Sequence, residues 1–464
     1  MSTAVLLAVF FQSHVFAQQA PTLKALAESA IRKSYDISNN ELTILADKET
    51  KKSIRETYLP RVEANGKYAY LNNNIQVDIP TATLPFLDIP LFDGNSEFTT
   101  RGNLWTTDLT ASAILFSGTK VPKLAKAVDY KIQAHEHLLE KQRQAIINEV
   151  STVYDQLALL KEVRALLAES EKRLAIEKQT AEKAFGYGLI TSYELNKVDV
   201  AQATLATKLQ EYEGKRGLLL KQLHQLTGIP ISDLQQIDEE LHPYLISDMR
   251  SGVENRPEIA ALDAAIEANN YRLAAEKTHW IPKVQALAKV GYYGLTNTKI
   301  NTPYQNPVNG QDISLGLHRL QAFPSYTIGI GVKWDIFDGF NGKRQVNKAR
   351  IEVAKAENNR QQAGELLNLN LDKAQVEYRL ANEQIAAGEV RKSTAQKGLQ
   401  LAQKEYKVGL IKVTDRIAAE TDYQQAAFDY YQAVFDQRRA ARALLLATGE
   451  LTIEQLATVN TLTR

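Results

Sequence analysis

The chain has 464 residues, carries 55 lysines and arginines against 54 aspartates and glutamates, and contains no cysteine. A net charge of +1 leaves no electrostatic footprint of the kind expected for a nucleic-acid-binding protein. The absence of cysteine excludes disulfides, thiolate metal sites, thiol nucleophiles and a lipidated N-terminal cysteine.

Residues 1–17 have the pattern of a signal peptide. The short apolar run AVLLAVFF at 4–11 is followed by Val15 and Ala17, small residues at the spacing that signal peptidase prefers. No lysine or arginine precedes the run, so the true start of the signal peptide stays open, and a buried N-terminal helix is the alternative. Beyond residue 20 no apolar run reaches the ~18–20 residues of a membrane-spanning helix. The sequence predicts an exported protein without a transmembrane helix.

A helical stretch at about 22–57 leads into two segments in which apolar and polar side chains alternate. The apolar positions are Val62, Ala64, Gly66, Tyr68 and Tyr70, then Trp105, Leu109, Ala111, Ala113 and Leu115. Alternation with a period of two predicts strands with one apolar face, here a strand pair within 60–116. The Pro-, Asn-, Gly- and Thr-rich segment 72–103 is predicted to be a surface loop. For any single strand, a half-buried sheet of a soluble protein is the alternative.

A long helix is predicted next. Residues 123–185 lack proline and consist mainly of strong helix formers, and Pro122 suits the first turn. At ~1.5 Å per residue this helix would be roughly 100 Å long. We expect it to pack lengthwise on other long helices, as in a coiled coil, because no single globular core accommodates such a length. The tip 186–192, with the sequence GYGLITS, then interrupts the pattern before a returning helix.

The same order of segments is written a second time. YLPRVEANGKYAY reappears as WIPKVQALAKVGYY, ILFSG as DIFDG, FGYGLITSYE as YKVGLIKVTD, and QLTG as LATG, each displaced by 221 or 222 residues. Four anchors in register indicate a tandem duplication. The predicted organisation is a first repeat at 18–228, an equatorial linker at 229–254, a second repeat at 255–449 and a C-terminal tail at 450–464. Within the second repeat we expect a strand pair at 282–337 with its loop at 294–325, a long helix at 343–406 and a tip at 408–413.

Four amphipathic strands per chain would leave open edges, which lipid does not tolerate. A membrane barrel needs at least about eight strands. Two chains would supply eight strands and three would supply twelve. The strand pattern therefore predicts an oligomeric barrel joined to a long helical assembly, and the number of chains stays open at this point.

The duplicated order of helix, strand pair, long helix, GLI turn and returning helix resembles the TolC-type outer membrane efflux protein family over about residues 22–450. The resemblance implies a mainly α, α+β fold: a trimeric twelve-stranded outer-membrane β-barrel continued by a long periplasmic α-helical barrel. It implies a homotrimer in outer membrane lipid that docks on a periplasmic adaptor protein and an inner-membrane pump of the RND or ABC type. Such a channel is the exit duct for efflux or secretion.

By this resemblance the two tips lie at the periplasmic mouth of the channel. Backbone reversal is expected at Gly188 and Gly409. Apolar contacts to the adaptor are expected from the exposed side chains of Leu189, Ile190, Leu410 and Ile411. Glu194 and Asp415 occupy matching positions, where an acid either caps a helix start or forms part of a periplasmic gate.

Nothing in the sequence predicts catalysis, a cofactor or a bound metal. His135 and His137 lie about 200° apart around a helix and cannot share a metal ion. The sequence contains no P-loop and no GxSxG nucleophile motif. Two alternatives to small-molecule efflux stay open: type I protein secretion through the same duct, and, from another class of protein, an elongated soluble coiled-coil scaffold.

Overall fold

The computed structural model describes residues 20–78, 82–83, 90–92, 95–246, 252–305 and 308–455. The predicted signal peptide lies outside these residues, as do residues 456–464 of the predicted C-terminal tail.

Helices form most of the chain, and their lengths repeat. The bounds are α1 Leu23–Lys33, α2 Tyr35–Arg55, α3 Lys120–Gly186, α4 Ser192–Thr227, α5 Ile231–Leu234, α6 Pro257–Glu276, α7 Asn341–Lys407 and α8 Val413–Thr448. Both α3 and α7 have 67 residues, and both α4 and α8 have 36. Each of these four helices begins and ends 221 positions before or after its counterpart, so the displacement seen in the sequence is also the displacement of the helices. Among the described residues, none of the helices combines the length and the apolar character needed to cross a membrane.

Six strands are present in the described residues: β1 Arg61–Asp78, β2 Ala82–Thr83, β3 Pro90–Phe92, β4 Asn95–Phe116, β5 Lys283–Gln305 and β6 Asp312–Lys333. The four long strands form one antiparallel sheet in the order β1-β4-β5-β6, and the short β2 and β3 pair with each other. The central pairing joins the two repeats, because β4 of the first lies beside β5 of the second. Strands β1 and β6 are the edges of this sheet.

The prediction of long loops at 72–103 and 294–325 is wrong for most of these residues. Strand β1 continues to Asp78 and β4 already begins at Asn95, with Asn72 opposite Arg101 and Ile75 opposite Phe98. In these segments apolar and polar residues alternate only over short stretches, such as 74–78 and 312–317, and runs of polar residues such as NNN at 72–74 interrupt the pattern. The segments still pair, because an antiparallel hairpin that is already in register satisfies successive backbone groups without an apolar face.

The chain divides into two compact units, and each takes segments from both repeats. The first unit comprises 1–46, 131–266 and 355–464, and the second comprises 47–130 and 267–354. The core of the first unit runs along α3 and α8, where Val150, Val153, Val434 and Leu444 are all buried. The apolar spacing of α3 that predicted lengthwise packing is thus a buried stripe. The second unit contains the four-stranded sheet.

Candidate functional site

Each long helical hairpin of the first unit ends in the same backbone turn. At the first tip, Gly188 has a φ of +72°, its N–H donates to the carbonyl of Phe185 at 2.9 Å, and the N–H of Leu189 donates to the carbonyl of Ala184 at 2.8 Å. The second tip has φ +79° at Gly409 and the bonds Gly409 to Tyr406 at 3.0 Å and Leu410 to Glu405 at 2.9 Å. These paired bonds form a Schellman motif, which requires the left-handed backbone that glycine adopts without a steric penalty.

The matched acids lie one turn into the returning helices and accept hydrogen bonds there. Glu194 accepts the N–H of Thr191 at 2.9 Å, while its own N–H donates to the Thr191 hydroxyl at 3.3 Å. Asp415 accepts the N–H of Lys412 at 3.3 Å. At the second tip the reciprocal bond, from the Asp415 N–H to the side chain of Lys412, cannot form, because a lysine ammonium cannot accept a hydrogen bond. The geometry of both acids is that of helix caps.

The two aliphatic residues of each tip have different environments. Leu189 is 75% exposed and Leu410 is 74% exposed. Ile190 and Ile411 are half-buried, so the expectation that all four side chains are exposed is wrong for the isoleucines. Ile190 immediately precedes the N-cap and packs with Leu195 against a buried cluster of Ala181, Val198 and Val413. Apolar residues at these two positions commonly pack in this way and fix the angle at which the chain enters the helix.

That buried cluster also joins the two hairpins just behind the tips. Ala181 comes from α3, Val198 from α4 and Val413 from α8, and Tyr406 of α7 packs against them. All three cluster residues are at most 1% exposed. The tips are therefore held by a shared core, so a displacement of one hairpin end must disturb the other.

A buried network of charges lies between α3 and α8, further from the tips than this cluster. Arg416 forms ion pairs with Glu177 at 2.9 Å and with Glu420 at 3.7 Å. Arg173 reaches Glu420 at 2.9 Å, and the Ser170 hydroxyl donates to the same carboxylate at 2.8 Å. Burial raises the pKa of Glu177 above its usual value, and Arg416 opposes this only in part. The network ties the two hairpins together by charge as well as by packing.

This network was missed in the sequence. Each helix carries an arginine four residues before a glutamate, Arg173 with Glu177 and Arg416 with Glu420, and such spacing normally indicates an exposed pair on one helix surface. The network could have been identified from the position of Glu177 relative to the apolar residues of its helix. Glu177 lies between Leu174 and Ala181 on the buried stripe of α3, where a charged residue requires a partner.

In the second unit, the sheet has one apolar face that runs unbroken across four strands. Residues that pair directly point to the same face, and the register aligns Val62 with Ala111, Ala111 with Ala288, and Ala288 with Ile328. The side chains of this face are largely exposed: Val62, Tyr68, Trp105, Leu109, Val290, Tyr326, Ile328, Ile330 and Val332. An exposed apolar surface of this extent marks a contact with lipid or with another protein.

The opposite face of the sheet is polar and internally bonded. Asp108 of β4 accepts hydrogen bonds from Thr110 at 3.0 Å and from Asn65 of β1 at 3.4 Å. It also forms an ion pair with Lys289 of β5 at 3.2 Å. Charged and amide side chains that bond one another across three strands are suited to a face in contact with water.

Comparisons with known proteins agree on one architecture. Residues 250–450 match the model of a family described as outer membrane efflux protein. The CmeC outer membrane channel of Campylobacter jejuni superposes with a TM-score of 0.67 at 14% identity, covering 95% of this chain and 89% of that one. VceC, an outer membrane protein of Vibrio cholerae, gives a TM-score of 0.68 at 16% identity, covering 92% and 96%.

A curated relative is the toxin and drug export protein A of Aggregatibacter actinomycetemcomitans, 20% identical over 306 residues. The match spans 62% of this chain and 65% of that relative, which is less than two thirds of its length.

Proposed function

Because residues 250–450 match the model of the outer membrane efflux protein family, we propose that the chain is a member of this family and forms the exit duct of an export system. Its sheet lies in the outer membrane and its long helices extend into the periplasm. The observation that carries the proposal is the sheet of the second unit, whose continuous apolar face is exposed while its polar face bonds internally. A lipid-facing and a water-facing surface on the same four strands are what a transmembrane barrel requires.

The duct is a homotrimer. A single chain leaves β1 and β6 as open edges, and three copies of the four-stranded sheet would close a barrel of twelve strands. Helix α7 supports contacts between copies, because it exposes an apolar series: Leu366, Leu369, Val376, Leu380, Val390 and Leu401. Light scattering of the detergent-solubilised protein should give the mass of three protomers. A monodisperse monomer would contradict the barrel.

The tips dock a periplasmic adaptor protein. Leu189 and Leu410 are exposed apolar side chains at the ends of two rigid turns, and a partner that covers both would remove this surface from water. An inner-membrane pump of the RND or ABC type supplies the energy, because the chain itself is a passive channel. Glu194 and Asp415 serve as caps that fix the helix starts beside the docking surface.

The export of small molecules is the first candidate activity, because the matching family is described as outer membrane efflux protein, and type I protein secretion is the second. The relative from Aggregatibacter is named for both toxin and drug export, so its name supports each of them for this chain. Deletion of the gene in its natural host, with and without complementation, separates the two. Raised accumulation of a fluorescent efflux dye supports efflux, and loss of a secreted protein supports secretion. Unchanged results in both assays would contradict an export role.

A further inference from the structure

A cavity of about 310 Å³ lies in the first unit, beside the antiparallel pair α3 and α4. Its apolar lining consists of the buried residues Leu157, Leu220 and Leu234 and the half-buried Ile237. The segment that follows α5, from Gln235 to Asp238, lines another side. A space of this size, bounded on several sides, has the dimensions of a small-ligand site.

Three cations converge on this cavity. Lys161 and Arg164 lie one turn apart on α3, and Arg216 lies on the facing surface of α4. Asp238 is the only acid in the lining, so the formal charge of the lining is +2. Both guanidinium groups act on the Tyr212 hydroxyl in the same cavity, since each opposes the rise in its pKa that burial causes.

The existing partners neutralise only one of these cations. Lys161 forms an ion pair with Asp238 at 2.8 Å. Arg216 donates to the uncharged carbonyl of Gln235 at 3.2 Å. Arg164 has a buried Nη1 without a hydrogen-bond partner, and among the described residues neither arginine forms an ion pair. Two of the three cations in the lining therefore have no acidic partner, and an acidic group that enters the cavity would supply one.

We propose that this cavity binds a small oxyanion, carboxylate or phosphate, held between Arg164 and Arg216. Two guanidinium groups offer paired N–H donors that match the oxygens of either acid group. The apolar lining accommodates a short carbon body, and the volume of about 310 Å³ limits its size. This site is independent of the export role, because it uses no residue of the tips or of the sheet.

Isothermal titration calorimetry on the full-length protein in detergent tests the proposal, with inorganic phosphate and succinate as separate probes at constant ionic strength set by chloride. We expect saturable binding of one anion per chain. The double variant Arg164→Gln/Arg216→Gln should weaken it by about tenfold to a hundredfold, as expected when charge-assisted hydrogen bonds are lost. Arg216→Gln alone, which leaves the half-buried Arg164 in place, should weaken it less and provides a variant that folds if the double variant does not.

Lys172→Gln is the matched control, because Lys172 is an exposed cation of α3 that pairs with Glu169 and does not line the cavity. It should bind as the unaltered protein does. Binding of phosphate alone would identify a phosphoryl group as the ligand, and binding of succinate alone a carboxylate; either supports the site. Absence of saturable heat with both probes, or equal weakening by Lys172→Gln, would overturn it.

Discussion

The Arg416 guanidinium of α8 lies 2.9 Å from the Glu177 carboxylate of α3, with both side chains almost completely buried. Glu420 and Arg173 complete a network of two positive and two negative groups. Because water has little access, the groups depend on one another for compensation of charge. Helices α3 and α8 can therefore pair in only one axial register, namely the one that brings these charged side chains into contact.

Arg416→Met should lower the free energy of unfolding by about 3–5 kcal/mol, because it leaves buried carboxylates without their cation. Arg439→Met is the matched control on the same helix. Arg439 pairs with Asp436 at 3.1 Å but is 63% exposed, so its removal should cost about 1 kcal/mol or less. Denaturant unfolding in detergent measures both, and equal losses would contradict the role of burial.

Glu177→Gln should change how stability depends on pH. Since the pKa of Glu177 is raised in the folded protein, the folded state binds this proton more tightly than the unfolded state. The Glu177 contribution is therefore fully present below the ordinary glutamate pKa of about 4.3, and decreases as the pH rises through the raised pKa. The unaltered protein should lose stability relative to Glu177→Gln over this window, measured as the difference in Tm. A difference that is constant with pH, or of opposite sign, would contradict the raised pKa.

How much the sequence predicts depends on whether a feature is local. The turns at Gly188 and Gly409 and the long helices were predictable, because glycine and helix formers act within a few residues. The charge network between Glu177 and Arg416 was not, because its partners are more than 200 positions apart and each looks like a surface residue of its own helix. The outer halves of the strands were missed for the same reason, since their pairing partners and not their own patterns define them.

Ala288→Arg tests the assignment of the sheet faces. Ala288 pairs with Ala111 and Ile328 on the apolar face, so an arginine there should cost about 2–4 kcal/mol if the site lies near the bilayer midplane. Gln285→Arg on the same strand, on the polar face opposite Gly331, should be far milder. The recovery of folded trimer in the outer membrane fraction compares them. A larger loss for Gln285→Arg would mean that the faces are reversed.

Leu189→Asp with Leu410→Asp should abolish export while the trimer still assembles in the outer membrane. The reason is that both side chains are exposed, so the change removes a docking surface and leaves the buried cluster of the tips intact. Dye accumulation measures export, and gradient fractionation measures assembly. The double variant with methionine at both positions retains apolar side chains and should export normally. Normal export by the aspartate variant would exclude these leucines from docking.

Asp415→Asn should leave conductance and ion preference in planar bilayers unchanged. Asparagine retains a side-chain oxygen that can accept the Lys412 N–H, so the cap survives the loss of charge. Recordings at low salt are the most sensitive, because screening is then weakest. A changed cation preference under those conditions would instead assign Asp415 to a gate.

The equal lengths of the paired helices, 67 and 36 residues in each repeat, restrict how this protein can evolve. Removal of seven residues from α3, and of seven from α4, would shorten the first hairpin by about 10 Å. Ala181 and Val198 would then no longer reach Val413, and Glu177 would no longer reach Arg416. A deletion or insertion in one repeat is therefore viable only with the same change in the other, and we expect homologues to differ in hairpin length by matched steps in both halves.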